Sequence, residues 1–280
     1  MFWTKRLKLV KPSKTSIAVL ALSIALALSL LFNGIQATTP DTGPYYLWVP
    51  TSTWTYNVGQ FANGTYYAVK GDNWHVDYTD TDASTVLTNA LVSNSTVFLK
   101  AATYYINDVG GLLLSNLANI HLIGETGAVI KYGYSGTEPQ QVFELAYSQN
   151  CQFSNLIFDM GYASFGSANA SLAGCAWIVK LLNTSNVSFD NVQFLNSPID
   201  GLVTSNANHT RITNSIFNNT GEHPIYMDPN SYDLHVSNSQ FYNWAKWIRG
   251  YIKLTQAHDV SFNHVYLEPN QDGLGFPDSR

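Results

Sequence analysis

Charge is scarce in this 280-residue chain: Asp, Glu, Lys and Arg make up 12% of it, about half of the quarter that is usual in soluble proteins. The scarcity excludes a charge-rich disordered chain, a charged coiled coil and a nucleic-acid binder with a broad basic surface. Cysteine is limited to Cys151 and Cys175, which leaves room for one disulfide at most. In place of charge stand 26 Asn and 48 Ser and Thr residues, beside a 45% hydrophobic fraction that includes 17 Tyr, 14 Phe and 7 Trp. That apolar content suffices to bury a core, so one domain of roughly 200 to 250 residues or two smaller ones are allowed.

The few charges are unevenly placed. Five of the 14 basic residues, Lys5, Arg6, Lys8, Lys11 and Lys14, precede an uncharged, mostly apolar run from Ser16 to Phe32. Basic, then apolar, then small polar is the order of a secretory signal peptide, with Ile35-Gln36-Ala37 offering a cut after Ala37. The alternative is an uncleaved anchor: Ile17 to Phe32 would make a helix of about 24 Å, slightly short for a membrane span. Membrane contact is expected only through this segment. Either way the rest of the chain is expected outside the cytoplasm, secreted or anchored at the surface, with 9 basic against 19 acidic residues. The expected organisation is a signal segment 1–37, an extended aromatic-rich lead-in 38–64 and one domain over 65–280. Asn-X-Ser/Thr acceptors occur at Asn63, Asn94, Asn169, Asn183, Asn186, Asn208 and Asn218 and suit a glycoprotein, although chance alone supplies about four or five in so Asn-rich a chain.

Internal repetition is the strongest signal. Cys151-Gln-Phe-Ser-Asn-Leu-Ile-Phe158 aligns with Val187 to Phe194, Thr210 to Phe217, Leu234 to Phe241 and Val260 to Leu267. The third position is always Phe, Ile or Val, and the eighth is Phe or Leu. The fifth is Asn155, Asn191, Asn214 and Asn238, then His264. Alternating apolar and polar residues predict strands with one buried face. The repeated Asn predicts a ladder of side-chain amides bonded from coil to coil, as in stacked β structures, and such a column suits an interior position.

A second strand precedes each unit, in Trp177–Leu181, Asp200–Thr204, His223–Met227, Gly250–Leu254 and Asp272–Phe276. Three short strands in a coil of about 24 residues predict an all-β fold, a right-handed parallel β-helix. Asp82 is a good N-cap, and Ala83, Val86, Leu87, Ala90 and Leu91 share one helical face, so 83–92 is expected to form an N-terminal capping helix over the first coil. Val97–Lys100 and Thr103–Ile106 are then the first strands, and no equivalent C-terminal cap is recognisable. Cys151 opens a strand whereas Cys175 lies at a turn, so the two are read as unpaired.

Tyr66-Tyr-Ala-Val-Lys-Gly, Asp77-Tyr-Thr-Asp-Thr-Asp-Ala-Ser-Thr-Val-Leu, Val97-Phe-Leu-Lys-Ala-Ala-Thr-Tyr-Tyr-Ile and Ile123-Gly-Glu resemble the opening of pectate-lyase-superfamily β-helix proteins. The resemblance extends over most of 60–276. It implies the β-helix fold and, where such proteins are enzymes, cleavage of acidic or neutral polysaccharide in a groove along one sheet. The Asn-Thr-Asp, Asp-Asp and Gly-His-Gly series of polygalacturonases is missing. So are the Trp-Ile-Asp-His strand and paired arginines of pectate lyases, for which Trp247-Ile-Arg249 is no substitute.

Placing Val179, Leu202, Ile225 and Ile252 inward puts Lys180, Val203, Tyr226 and Lys253 in one outward column, with Tyr251 and Asp228 beside it. Asp200 and His223 align just before the strand, and Glu222 aligns with Arg249. Coils about 4.8 Å apart would gather these residues into one patch. The candidate catalytic residues are Asp200, Glu222, His223, Arg249 and Lys253, since sugar cleavage needs carboxylates or His for proton transfer and a cation for developing negative charge. Lys180, Tyr226, Asp228 and Tyr251 are candidate substrate-binding residues. The competing reading makes them solvated strand ends with local ion pairs such as Glu222 with Arg249. Asp77, Asp80 and Asp82 lack the Gly and distal Glu of a calcium loop and read as caps and turns, so Ca²⁺ has no motif and no metal or cofactor is expected. The expected partner is a polysaccharide or cell-surface glycan, acted on by a lyase or hydrolase, or bound without turnover by an adhesin-like surface protein.

Overall fold

A computed structural model of the chain describes residues 54–133, 141–161, 176–244 and 252–269. The signal segment, the cysteine at 175, Arg249, Tyr251 and the Asp272–Phe276 strand lie outside the described residues. Among the described residues no helix is long and apolar enough to cross a membrane.

Three sheets of ten, seven and six described strands run side by side. From Thr96 on, each coil contributes one strand to each sheet, and each of these strands pairs in parallel with its counterpart one coil on, as in Ser185–Asp190 against Asn208–Thr213. This is a parallel β-helix, and parallel crossovers take the right-handed sense. The register places the repeated apolar positions in columns: Phe153, Phe189, Ile212, Val236 and Phe262 in the ten-stranded sheet, and Phe158, Phe194, Phe217, Phe241 and Leu267 in the seven-stranded one. Every coil must fill the same inward site, so the residue type recurs. Phe194 and Phe217 stack with centroids 4.3 Å apart, and Phe217 and Phe241 at 4.8 Å. Such pairs contribute roughly 0.5–1.5 kcal/mol beyond their burial.

The N-terminal end is more elaborate than a helix alone. Strands Tyr56–Gln60, Tyr66–Lys70 and Val76–Asp80 form an antiparallel meander. The first of them pairs in parallel with Thr96–Leu99, so the β-structure begins within the stretch read as a lead-in, ahead of Val97. Tyr56, Val58, Tyr66 and Ala68 join the core, which explains why that stretch is rich in aromatics. The helix Ala83–Ala90 follows. Asp82 caps it by accepting from the Ser84 N–H, and Ala83, Val86, Leu87, Ala90 and Leu91 are buried as the periodicity predicts.

The repeated asparagines require a correction. Asn155, Asn191, Asn214 and Asn238 are exposed, not interior, and all have left-handed backbones with φ between 49° and 56°. Of the 22 described non-glycine residues with positive φ, 15 are Asn. The left-handed region is costly for a residue with Cβ, and Asn tolerates it best among them. The turn between strands therefore selects Asn through its backbone, and the amide ladder is secondary. Asn191 Nδ2 does donate to Asn155 Oδ1 at 2.8 Å, but Asn214 turns to Asp190 Oδ1 at 2.7 Å. A more continuous ladder runs down another corner, from Asn186 to Asn150, Asn119 and Asn94, at 2.8, 3.0 and 2.8 Å. Cys151 is a buried free thiol whose pKa burial pushes up to about 11.

Candidate functional site

The six-stranded sheet carries the predicted outward column. Lys180 pairs with Val203, Val203 with Tyr226 and Tyr226 with Lys253, while Val179, Leu202 and Ile225 face inward. One coil earlier the column continues through Glu144. Registry with the buried Val179, Leu202 and Ile225 fixes these positions, because a one-residue slip would expose that apolar set; Val203, although in the outward column, is buried as well.

At the start of these strands Gln141, Trp177 and Asp200 stand in one column. His223 follows, held by the Gly201 N–H donating to its carbonyl at 2.8 Å, while its own N–H donates to Asp200 Oδ1 at 3.2 Å. Gly201 is required by this close approach, since a Cβ there would lie 2.4 Å from the Pro224 carbonyl oxygen. The His223 Nε2 lies 3.1 Å from Glu222 Oε1. Asp200 is 5% exposed and His223 3%. They are buried groups and not the solvated strand ends of the simpler reading.

Burial dominates the chemistry of Asp200. Removed from water, its carboxyl is pushed up to about 7; the nearby Glu222 charge adds to the rise, while the His223 N–H and Lys253 oppose it. Asp200 can thus hold a proton near neutral pH. Asp200, Glu222 and His223 each present one oxygen or nitrogen, all within 4.8 Å of one another. That set can pass a proton between groups, and it is also a donor set that could hold a divalent cation.

Rings and cations frame the cluster. His223 and Tyr226 lie 5.7 Å apart between centroids, and the Lys253 ammonium sits 4.2 Å above the Tyr226 ring. The Tyr226 pKa is raised, chiefly by burial and then by its hydrogen bond to Asp228, so this tyrosine stays a neutral phenol. Trp177 Nε1 donates to Gln141 Oε1 at 2.6 Å, and Lys180 lies 5.0 Å over the Trp177 ring. Lys180 also pairs with Glu144 at 3.5 Å, both partly buried.

Of the sequence candidates, Asp200, Glu222, His223, Tyr226, Asp228 and Lys253 are thus brought together, and Lys180 lies on the same face engaged by Glu144. Arg249 and Tyr251 lie outside the described residues, and the ionic partner found for Glu222 is His223. Glu144, Gln141 and Trp177 were not singled out from the sequence. The irregular 36-residue interval before Trp177 hides the register of Gln141 and Glu144, for which the one available signal was Val142-Phe143 as an apolar pair one coil before Ile178-Val179.

No protein-family model matches this sequence, and no curated protein matches it. Among solved structures, the chain is similar to a pectin methylesterase in complex with a hexasaccharide, at 15% identity and TM-score 0.49, covering 65% of this chain and 59% of that one. It is similar to a candidate glycosyl hydrolase of Parabacteroides merdae at 11% identity and TM-score 0.47, covering 62% of this chain and 81% of that one. An E. coli bacteriophage tailspike in complex with a pentasaccharide matches at 13% identity and TM-score 0.44, covering 66% of this chain and 36% of that one.

Proposed function

We propose that this chain is a secreted, carbohydrate-active β-helix protein that hydrolyses glycosidic bonds of a polysaccharide lying along the six-stranded sheet. The observation that carries the reading is Asp200: a carboxyl 5% exposed, its pKa pushed up to about 7, with the Glu222 carboxylate within 4.8 Å. Asp200 donates its proton to the leaving oxygen, and Glu222 meets the positive charge that develops on the sugar. The partly exposed Trp177 and Tyr226 rings supply flat apolar faces for sugar rings. A β-elimination fits less well, because Lys180 is engaged by Glu144 and a neutral acid is a proton donor, not a base.

Release of reducing ends from a panel of acidic and neutral polysaccharides tests the proposal. Wild type is expected to release them and Asp200→Asn to lose at least about 100-fold. Activity is expected to survive EDTA, since the proposed chemistry uses protons alone. If the wild type releases no product from the panel, the hydrolytic reading is wrong. The near-closure of Asp200 and His223 then favours the second reading, a glycan binder without turnover, which predicts retention on immobilised polysaccharide.

A further inference from the structure

A different sheet carries a second constellation that the hydrolytic site does not use. In the ten-stranded sheet Arg211, His235 and Ser261 stand in one outward column on three successive coils. Asp233 precedes His235 by two residues, with a left-handed backbone (φ 57°) at the same corner as His209 (φ 54°). There it meets His235: Nε2 lies 2.6 Å from Asp233 Oδ1, while His235 Nδ1 lies 2.5 Å from Ser261 Oγ. One imidazole thus bridges a carboxylate and a hydroxyl.

The donor and acceptor roles follow from the groups. A carboxylate only accepts, so in the neutral imidazole Nε2 carries the hydrogen toward Asp233 and Nδ1 is left with a lone pair facing the Ser261 hydroxyl. Asp233 is itself anchored: Arg211 Nη1 donates to its backbone carbonyl at 3.0 Å, Arg211 Nη2 to Oδ2 at 3.1 Å, and His209 Nδ1 also meets Oδ2. These contacts, with Arg211 foremost, hold the carboxyl well below its ordinary pKa, so it remains an anion. An anion fixed by its neighbours orients the imidazole, and the oriented imidazole accepts the serine proton. These are the three roles of a nucleophilic serine site. The strand His258–Asn263 is terminal among the described strands of its sheet.

We propose that Ser261, His235 and Asp233 form a serine esterase site for small acyl groups carried on a large molecule. Ser261 Oγ bonds to the acyl carbon as its proton passes to His235 Nδ1. The tetrahedral adduct collapses, the carrier oxygen leaves with that proton, and an acyl-serine remains. Water then gives a proton to His235 and its oxygen to the acyl carbon, releasing the acid and restoring the hydroxyl. The substrate class follows from exposure: Ser261 is exposed and the His235 side chain is 44% exposed. A serine and a histidine this exposed admit a short acyl group on a bulky carrier. The proposal does not depend on Asp200.

The test is labelling of the full chain with an alkyl fluorophosphonate, followed by peptide mass mapping, with p-nitrophenyl acetate hydrolysis in parallel. One phosphonyl group is expected on Ser261. Ser261→Ala is expected to take none, and His235→Asn to be labelled at least about 100-fold more slowly, both with wild-type circular dichroism. Asp200→Asn is expected to label at the wild-type rate. A label absent from Ser261, or one that His235→Asn takes up as fast as the wild type, overturns the proposal.

Discussion

Asn191 and Asn155 sit one coil apart with the same left-handed backbone, φ 53° and 56°, and the amide of one donates to the other at 2.8 Å. Two contributions therefore coincide in one residue, and substitution separates them. Asn191→Gly removes the hydrogen bond but suits the backbone; Asn191→Ala removes the bond and places a Cβ in a left-handed turn. Alanine is expected to destabilise by about 1–2 kcal/mol more than glycine does, as measured by urea midpoints. Equal losses would assign the role of this Asn to its amide.

The same residue shows what could be read in advance. The inward columns were legible because every coil must place an apolar side chain at the same depth, so Phe153, Phe189 and Ile212 align by type alone. The outward column of Lys180, Val203, Tyr226 and Lys253 followed from that alignment. The corner asparagines were legible as a repeat but not in their cause, since a residue chosen for its φ and one chosen for its buried amide look alike in sequence. Nor was the burial of Asp200 legible. It depends on the close approach of the next coil at Gly201, which the alignment of the strands does not display.

The aromatic column makes a packing prediction. Phe217 lies between Phe194 and Phe241, within 4.8 Å of each ring centroid and nearly parallel to both. Phe217→Ala removes a fully buried ring from the middle of the stack and is expected to cost about 3–5 kcal/mol in chemical denaturation, with Phe217→Leu costing less than half of that. A loss under 1 kcal/mol would mean that neighbouring coils close over the gap.

Glycan binding can be tested apart from turnover. Trp177 and Tyr226 are partly exposed rings, one on the coil before Asp200 and one on the coil after. Trp177→Ala and Tyr226→Ala are each expected to weaken oligosaccharide binding by about tenfold or more in calorimetry, roughly 1.4 kcal/mol. Tyr226→Phe keeps the ring, loses only the hydroxyl bonded to Asp228, and is expected to retain most of the affinity. Unchanged binding in both alanine variants would move the sugar path off this sheet.

The buried carboxyl of Asp200 has a consequence for folding that is independent of any substrate. Its pKa is about 7 in the fold against 3.8 as the ordinary value. Below pH 3.8 both folded and unfolded chains are protonated there, and the group has no effect. Between 3.8 and 7 the unfolded chain releases the proton while the folded one keeps it, so stability falls as pH rises; above 7 the full penalty is present, at most about 4 kcal/mol. Asp200→Asn cannot ionise and escapes this penalty. It is expected to be more stable than wild type at pH 8 and to approach it at pH 4, read as the difference in urea midpoints at the two pH values. A gap that does not change with pH would show that Asp200 ionises in the fold as readily as in water, and would remove the proton donor on which the hydrolytic reading rests.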